Sequence, residues 1–230
     1  MRRILTAGML MAAVVLVAGC DMGPREDASF RDTFAVTKAQ LSSSGTGKYF
    51  ILEPGTRLTY THAVDTLTIT VLNETKLVDG VQTRVVEEHE TEGGKLVEIS
   101  RNYFAIDKAT GDVYYFGEDV DIYKDGKVTA HDGSWASGVN GARFGMMIPG
   151  APKVGDRFQQ EVAPQAAMDR VEITSVTETV KTPAGEFKNC VVTKETSPLE
   201  AGSSSKTYAP GVGLVVDDEF VLSKVERAGR

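Results

Sequence analysis

The amino-acid sequence predicts an all-β protein, with internally duplicated antiparallel sheets forming a sandwich or a partly open barrel. Three observations predict it. Apolar and polar residues alternate from Tyr49 onward, the period-two mark of strands with one buried face. β-branched residues and tyrosines fill those runs, and glycine-bearing turns separate them. The second half of the chain repeats spacings of the first. No long stretch has helical periodicity; "PQAAMDR" at 164–170 has room for one turn.

The first set of strands is expected near 56–61, 65–73, 81–91, 95–105, 112–117, 120–124 and 127–131. In "TLTITV" at 66–71, Leu67, Ile69 and Val71 share one face and threonines the other. Asp125-Gly126 suits the positive φ angles of a type I′ hairpin between "IYK" and "KVT". The second set is expected near 156–163, 169–180, 186–196, 203–208 and 213–223. Gly55, Arg57 and Leu58 match Gly155, Arg157 and Phe158, and Leu67 and Ile69 match Val171 and Ile173. Gly80, Val86 and Tyr103 match Gly185, Val191 and Tyr208. One repeat would leave an apolar face and an open sheet edge, whereas two can cover each other. The body is therefore read as one domain over 48–230, with halves at about 49–131 and 152–223.

A glycine-rich segment at 133–151 joins the halves. It carries Trp135, Phe144, Met146, Met147 and Ile148. Long loops in compact domains are often functional. These five residues either cap the core or form an adaptable apolar lip over a ligand pocket.

The chain starts with Arg2 and Arg3, followed by an apolar run over 4–17 that is shorter than the ~20 residues of a membrane span. This is the layout of a secretory signal. Val17-Ala18-Gly19-Cys20 resembles the lipobox of bacterial lipoproteins. The resemblance implies removal of residues 1–19, a diacylglyceryl group on the Cys20 thiol and acylation of the new amine. Acyl chains at ~0.8 kcal/mol per buried methylene would hold the protein on a membrane without a spanning helix. Asp21 resembles the inner-membrane retention signal of enterobacterial lipoproteins, with the protein on the periplasmic face. Residues 20–47 are polar and rich in Ser and Gly, and read as a tether in which Phe30, Phe34 and Val36 have the means to dock.

The net charge is −7, and residues 1–19 contribute two arginines and no acids to it. A nucleic-acid partner is not expected of so acidic a body. Cys190, the second cysteine, sits in the apolar run "NCVVT" and reads as a buried, inert thiol.

Little catalytic chemistry is legible. His62, His89 and His131 have no paired spacing, and no metal site is expected of them. "DIYKDGKVTAHD" at 121–132 partly matches a calcium loop, but Tyr123 stands where a short oxygen ligand is needed. Ser134 lies beside His131 and Asp132 without a G-x-S-x-G elbow. No catalytic residue and no cofactor is expected, and the chain reads as a non-catalytic protein.

"KTPAGEFKNCVVTKE" with "KTYAPGVGLVVDD" resembles a motif pair of exported β-rich bacterial proteins with no assigned activity. "YFILEPGTRLTYT" and "PKVGDRFQQE" resemble their opening strand and a second copy of it. These motifs are structural: a turn at Pro183-Ala184-Gly185, core positions at Phe187 and Val191, and a bend at Gly211 and Gly213. The architecture is similar to the half-barrel acyl-chain carriers of lipoprotein sorting, by analogy. The expected function is a membrane-anchored binding or assembly module of the cell envelope, with an envelope protein as partner. The alternative is a carrier or sensor of a hydrophobic ligand, and a cell-envelope hydrolase comes after both.

Overall fold

The computed structural model describes residues 29–227. After a single 3-10 turn at Lys38–Gln40, a short strand β1 (Leu41–Ser42) lies on the sheet. Five strands then follow as β2 (Arg57–His62), β3 (Asp65–Val78), β4 (Val81–Glu92), β5 (Lys95–Asp107) and β6 (Val113–Lys124). Next come β7 (Lys127–Ala130), β8 (Trp135–Ala136), β9 (Arg143–Ile148), β10 (Arg157–Gln159) and β11 (Glu161–Val162). The last are β12 (Arg170–Thr182), β13 (Gly185–Thr196), β14 (Ser204–Ala209), β15 (Gly213–Asp217) and β16 (Phe220–Glu226). All pairings between these strands are antiparallel.

The sheet runs β10-β12-β13-β14-β15-β16-β2-β3-β4-β5-β6-β9-β11. Its two end strands are neighbours in the chain, separated only by Gln160. One segment therefore pairs with β12 through residues 157–159 and with β9 through residues 161–162. That brings the sheet round on itself into a nearly closed barrel, which removes most of the open edge that a long sheet would expose. The remaining edge of β10 is capped by Arg31, whose N–H donates to Arg157 O (3.1 Å) and whose carbonyl accepts from Gln159 N (2.9 Å).

Turn chemistry sets the hairpins. Asp79-Gly80, Gly93-Gly94 and Asp125-Gly126 all take positive φ, as type I′ turns require. Two bulges re-aim side chains. In β6 an extra residue at Phe116–Gly117 keeps Glu118 and Val120 on the same face as Tyr115. In β3 the register slips between Val71 and Thr75. There the buried Arg84 guanidinium donates to the carbonyls of Leu72 and Glu74 (both 3.3 Å), while its Nε donates to Ser43 O (2.8 Å).

The two glycine-led hairpin starts use one hydrogen-bond pattern. Gly55 N–H donates to Val71 O, and Val71 N–H to Thr56 O. Gly155 N–H donates to Ile173 O, and Ile173 N–H to Asp156 O. This pattern makes Val71 the counterpart of Ile173 in the other half, where the sequence matching gave Ile69.

Several expected boundaries are corrected. The expected strands 112–117 and 120–124 are one strand, because the Gly117 bulge absorbs the irregularity. The expected strand 213–223 is two, because Asp218 takes a left-handed φ of 51° and turns the chain. The joining segment 133–151 is not a loop: β8 and β9 lie within it, and β9 sits between β6 and β11. The tether expected over 20–47 is bound to the body over its described part. Phe34, Val36 and Leu41 pack on the core, and Phe34 meets Tyr114 edge-on at 5.8 Å. The reason is apolar burial, reinforced by ion pairs of Lys38 with Asp79 (2.7 Å) and Arg143 with Asp32 (3.1 Å).

Candidate functional site

The inner face of the barrel surrounds a chamber of about 730 Å³. Strand register builds its wall row by row. One row crosses β3 to β6 as Ile69, Glu88, Ser100 and Val120. A second runs Val71, Val86, Asn102, Glu118, and a third runs Leu67, Glu90, Glu98. From the later strands comes the row Lys206, Asp217, Phe220. Apolar and acidic residues thus alternate along the same wall. Leu58, Phe104, Met147, Leu214 and Phe220 supply further apolar surface.

The polar lining is only partly paired. Tyr115 donates to Asn102 Oδ1 (2.6 Å). Glu161 accepts from Asp169 N (2.5 Å). Lys206 Nζ lies 2.9 Å from Glu195 Oε2, with both side chains buried, and Asp217 is the cross-strand neighbour of Lys206. Tyr208, 1% exposed, has no hydrogen-bond partner for its hydroxyl among the described residues, and it lines the chamber. Among the described lining residues twelve are carboxylates, and Lys206 is the single base.

Burial pushes the Glu88 carboxyl up to about 8 and that of Glu98 up to about 7. Asp217, Glu118 and Glu161 move in the same direction for the same reason. The groups facing Glu88 are Asp217 and Lys206 across the chamber and Glu118 on β6; Glu90 adds its charge beside Glu98. Carboxyls raised in this way hold protons in the folded chain that the unfolded chain has released. Stability is therefore full below the ordinary value near 4.5 and falls as pH rises through 7 and 8. The thermal midpoint should be about 2–4 °C or more higher at pH 5.5 than at pH 8.5, for a loss of ~1 kcal/mol or more. A midpoint that rises with pH over that window would contradict the buried acid wall.

Of the five apolar residues of the joining segment, only Met147 lines the chamber, where Gln160 Nε2 donates to its sulfur (3.5 Å). Trp135 is buried edge-on against Tyr115 at 5.2 Å. Phe144 stacks on Phe116 at 4.7 Å, Met146 accepts from Arg31 (3.5 Å), and Ile148 is in the core. Cys20 lies outside the described residues. Cys190 is buried, and burial pushes its thiol up, away from reactivity.

The three histidines do not meet. His62 faces Glu219 (3.6 Å), His89 faces Glu87 (3.1 Å) and His131 faces Asp121 (3.0 Å). The calcium-like stretch at 121–132 forms the β6–β7 hairpin. Among the described residues no group of three His, Cys, Asp or Glu is arranged to hold a metal ion. Ser134 Oγ accepts from Val120 N (2.8 Å), so it closes a turn.

The acidic wall was the feature the residue pattern concealed. The sequence does not single out Glu88 and Glu90, yet they share a face with Val86 and line the chamber. The available signal was that parity, since Leu67, Ile69 and Val71 oppose the same residues.

No family model and no curated protein matches the chain. Solved structures similar to it include a protein of Parabacteroides distasonis provisionally named a lipoprotein. It is 14% identical, the match covers 80% of this chain and 100% of that one, and the TM-score is 0.38. Another is a protein of Bacteroides fragilis named an exported protein with a YmcC-like fold. It is 17% identical, the match covers 79% of this chain and 100% of that one, and the TM-score is 0.39.

Proposed function

We propose that this chain is a lipid-anchored protein of the bacterial cell envelope that holds a small amphiphilic ligand inside its barrel and acts by binding rather than by catalysis. The chamber carries this reading. Its volume of about 730 Å³ falls in the range of small-molecule sites, roughly 300–1,000 Å³. Its wall offers apolar side chains for a ligand body and a limited set of polar groups for orientation. The address rests on Arg2, Arg3, the apolar run and Val17-Ala18-Gly19-Cys20.

Native mass spectrometry of the full chain, isolated in lipid nanodiscs, tests the binding reading. A small molecule bound one to one and lost on unfolding is the expected result. A chain that is empty after gentle isolation, and that takes up no apolar or amphiphilic compound when offered one, would overturn it. The address has its own test: Cys20→Ser should abolish acylation and leave the barrel folded. Acyl chains still attached to that variant would contradict the lipobox assignment.

A further inference from the structure

We infer that the chamber selects an amine: its ligand is a compound with a protonated amino group on an apolar body, the ammonium lying between Glu88, Asp217 and the Tyr208 hydroxyl. This inference rests on the chamber reading above and names the chemistry that the chamber takes.

Charge is the first ground. Twelve acidic side chains and one lysine stand among the described lining residues, and a bound cation favours the charged form of the carboxyls that burial keeps protonated. Lys206 is already held by Glu195 and so neutralises little of their charge. An anionic head, such as a fatty carboxylate or a phosphate, gains nothing from that wall and repels every acid that ionises, whereas a cation pairs with the carboxylates it brings to the charged form.

Tyr208 is the second, independent ground. Tyr208 is among the residues lining the chamber, and its hydroxyl is buried with no partner among the described residues. A buried hydroxyl without a hydrogen bond is destabilising, so a ligand that supplies one gains affinity at that point. The oxygen can accept from an ammonium N–H, as can the carboxylates that face it. Glu88, Glu195 and Asp217 all lie within electrostatic range of Tyr208.

Apolar side chains on the same wall are the third. Leu67, Ile69, Val71, Val86, Phe104 and Met147 give the body of the ligand a surface to leave water for. A fully hydrated dication would not use that surface, and a plain alkane would not use the acids. Only an amine on an apolar body uses both.

The test compares octylammonium, octanol and octanoate, which share one apolar body. The readout is the thermal midpoint of the full chain in nanodiscs, followed by the fluorescence of Trp135, the one tryptophan in the sequence. Ligands that bind only the folded chain raise that midpoint. Octylammonium should bind roughly tenfold tighter than octanol, the gain expected of one charge-assisted hydrogen bond, and octanoate should give no shift. Glu88→Gln and Tyr208→Phe keep the side-chain shapes, and each should weaken octylammonium while leaving octanol unchanged. Equal shifts from all three compounds would overturn the amine inference and leave the chamber reading standing. No shift from any of them would overturn both.

Discussion

Replacing Lys206 with methionine should destabilise the protein by roughly 3–5 kcal/mol, because it strands buried negative charge. The side chains of Lys206 and Glu195 are 10% and 6% exposed and 2.9 Å apart. Asp217, also buried, is the cross-strand neighbour of Lys206. Burial alone would lower the Lys206 ammonium; the charges of Glu195 and Asp217 overcome it and hold the group well above the ordinary lysine value. Without that cation two carboxylates share one dry corner of the chamber, and each must take up a proton or leave the wall. The control is the double variant Lys206→Met with Glu195→Leu, which removes both partners and should recover most of the loss. Urea denaturation of the three proteins checks this, with the slope held constant. A single variant as stable as the parent would show that the pair is solvated and the corner wet.

Gly145→Ala is the second large effect. A Cβ at this position would lie 2.4 Å from the carbonyl oxygens of Gln159 and Gln160, closer than any relaxed contact. Those carbonyls belong to the segment that joins β10 to β11 and closes the barrel. They are backbone, so they cannot swing aside as a flexible side chain would. Gly145 is therefore required by close approach. The substitution should cost roughly 3 kcal/mol and lower the thermal midpoint by about 6–12 °C. Hydrogen exchange should locate the damage at β9 and β11, where pairing spans only Glu161–Phe144 and Val162–Arg143. Gly80→Ala is the contrast, because nothing lies within 4 Å of its Cβ and only its positive φ is strained. A variant at Gly145 no worse than that one would mean that the seam is open.

How much of this was legible in the sequence depended on whether a signal was local. Period-two alternation is local, so the strands from "TLTITV" onward and the Asp125-Gly126 hairpin could be read directly. β9 could not. Its run Gly145-Met146-Met147 lacks β-branched residues, and Gly145 is there for a close approach that no sequence pattern reports. Closure was equally hidden, because the break at Gln160 looks like the middle of one strand until both of its partners are known. The chamber misled most. Alternation shows which residues share a face, but nothing local marks Glu88, Glu90 and Glu98 as chamber residues, because they line it only once the sheet curls round them.

The most direct measurement is a crystal structure of the chain grown with octylammonium. The account predicts an alkyl chain along Leu67, Ile69, Val86 and Met147, with its nitrogen about 3 Å from a Glu88 or Asp217 carboxylate oxygen and from the Tyr208 hydroxyl. A chamber filled by the protein's own side chains, or one in which the amine lies only on the outer surface, would contradict it.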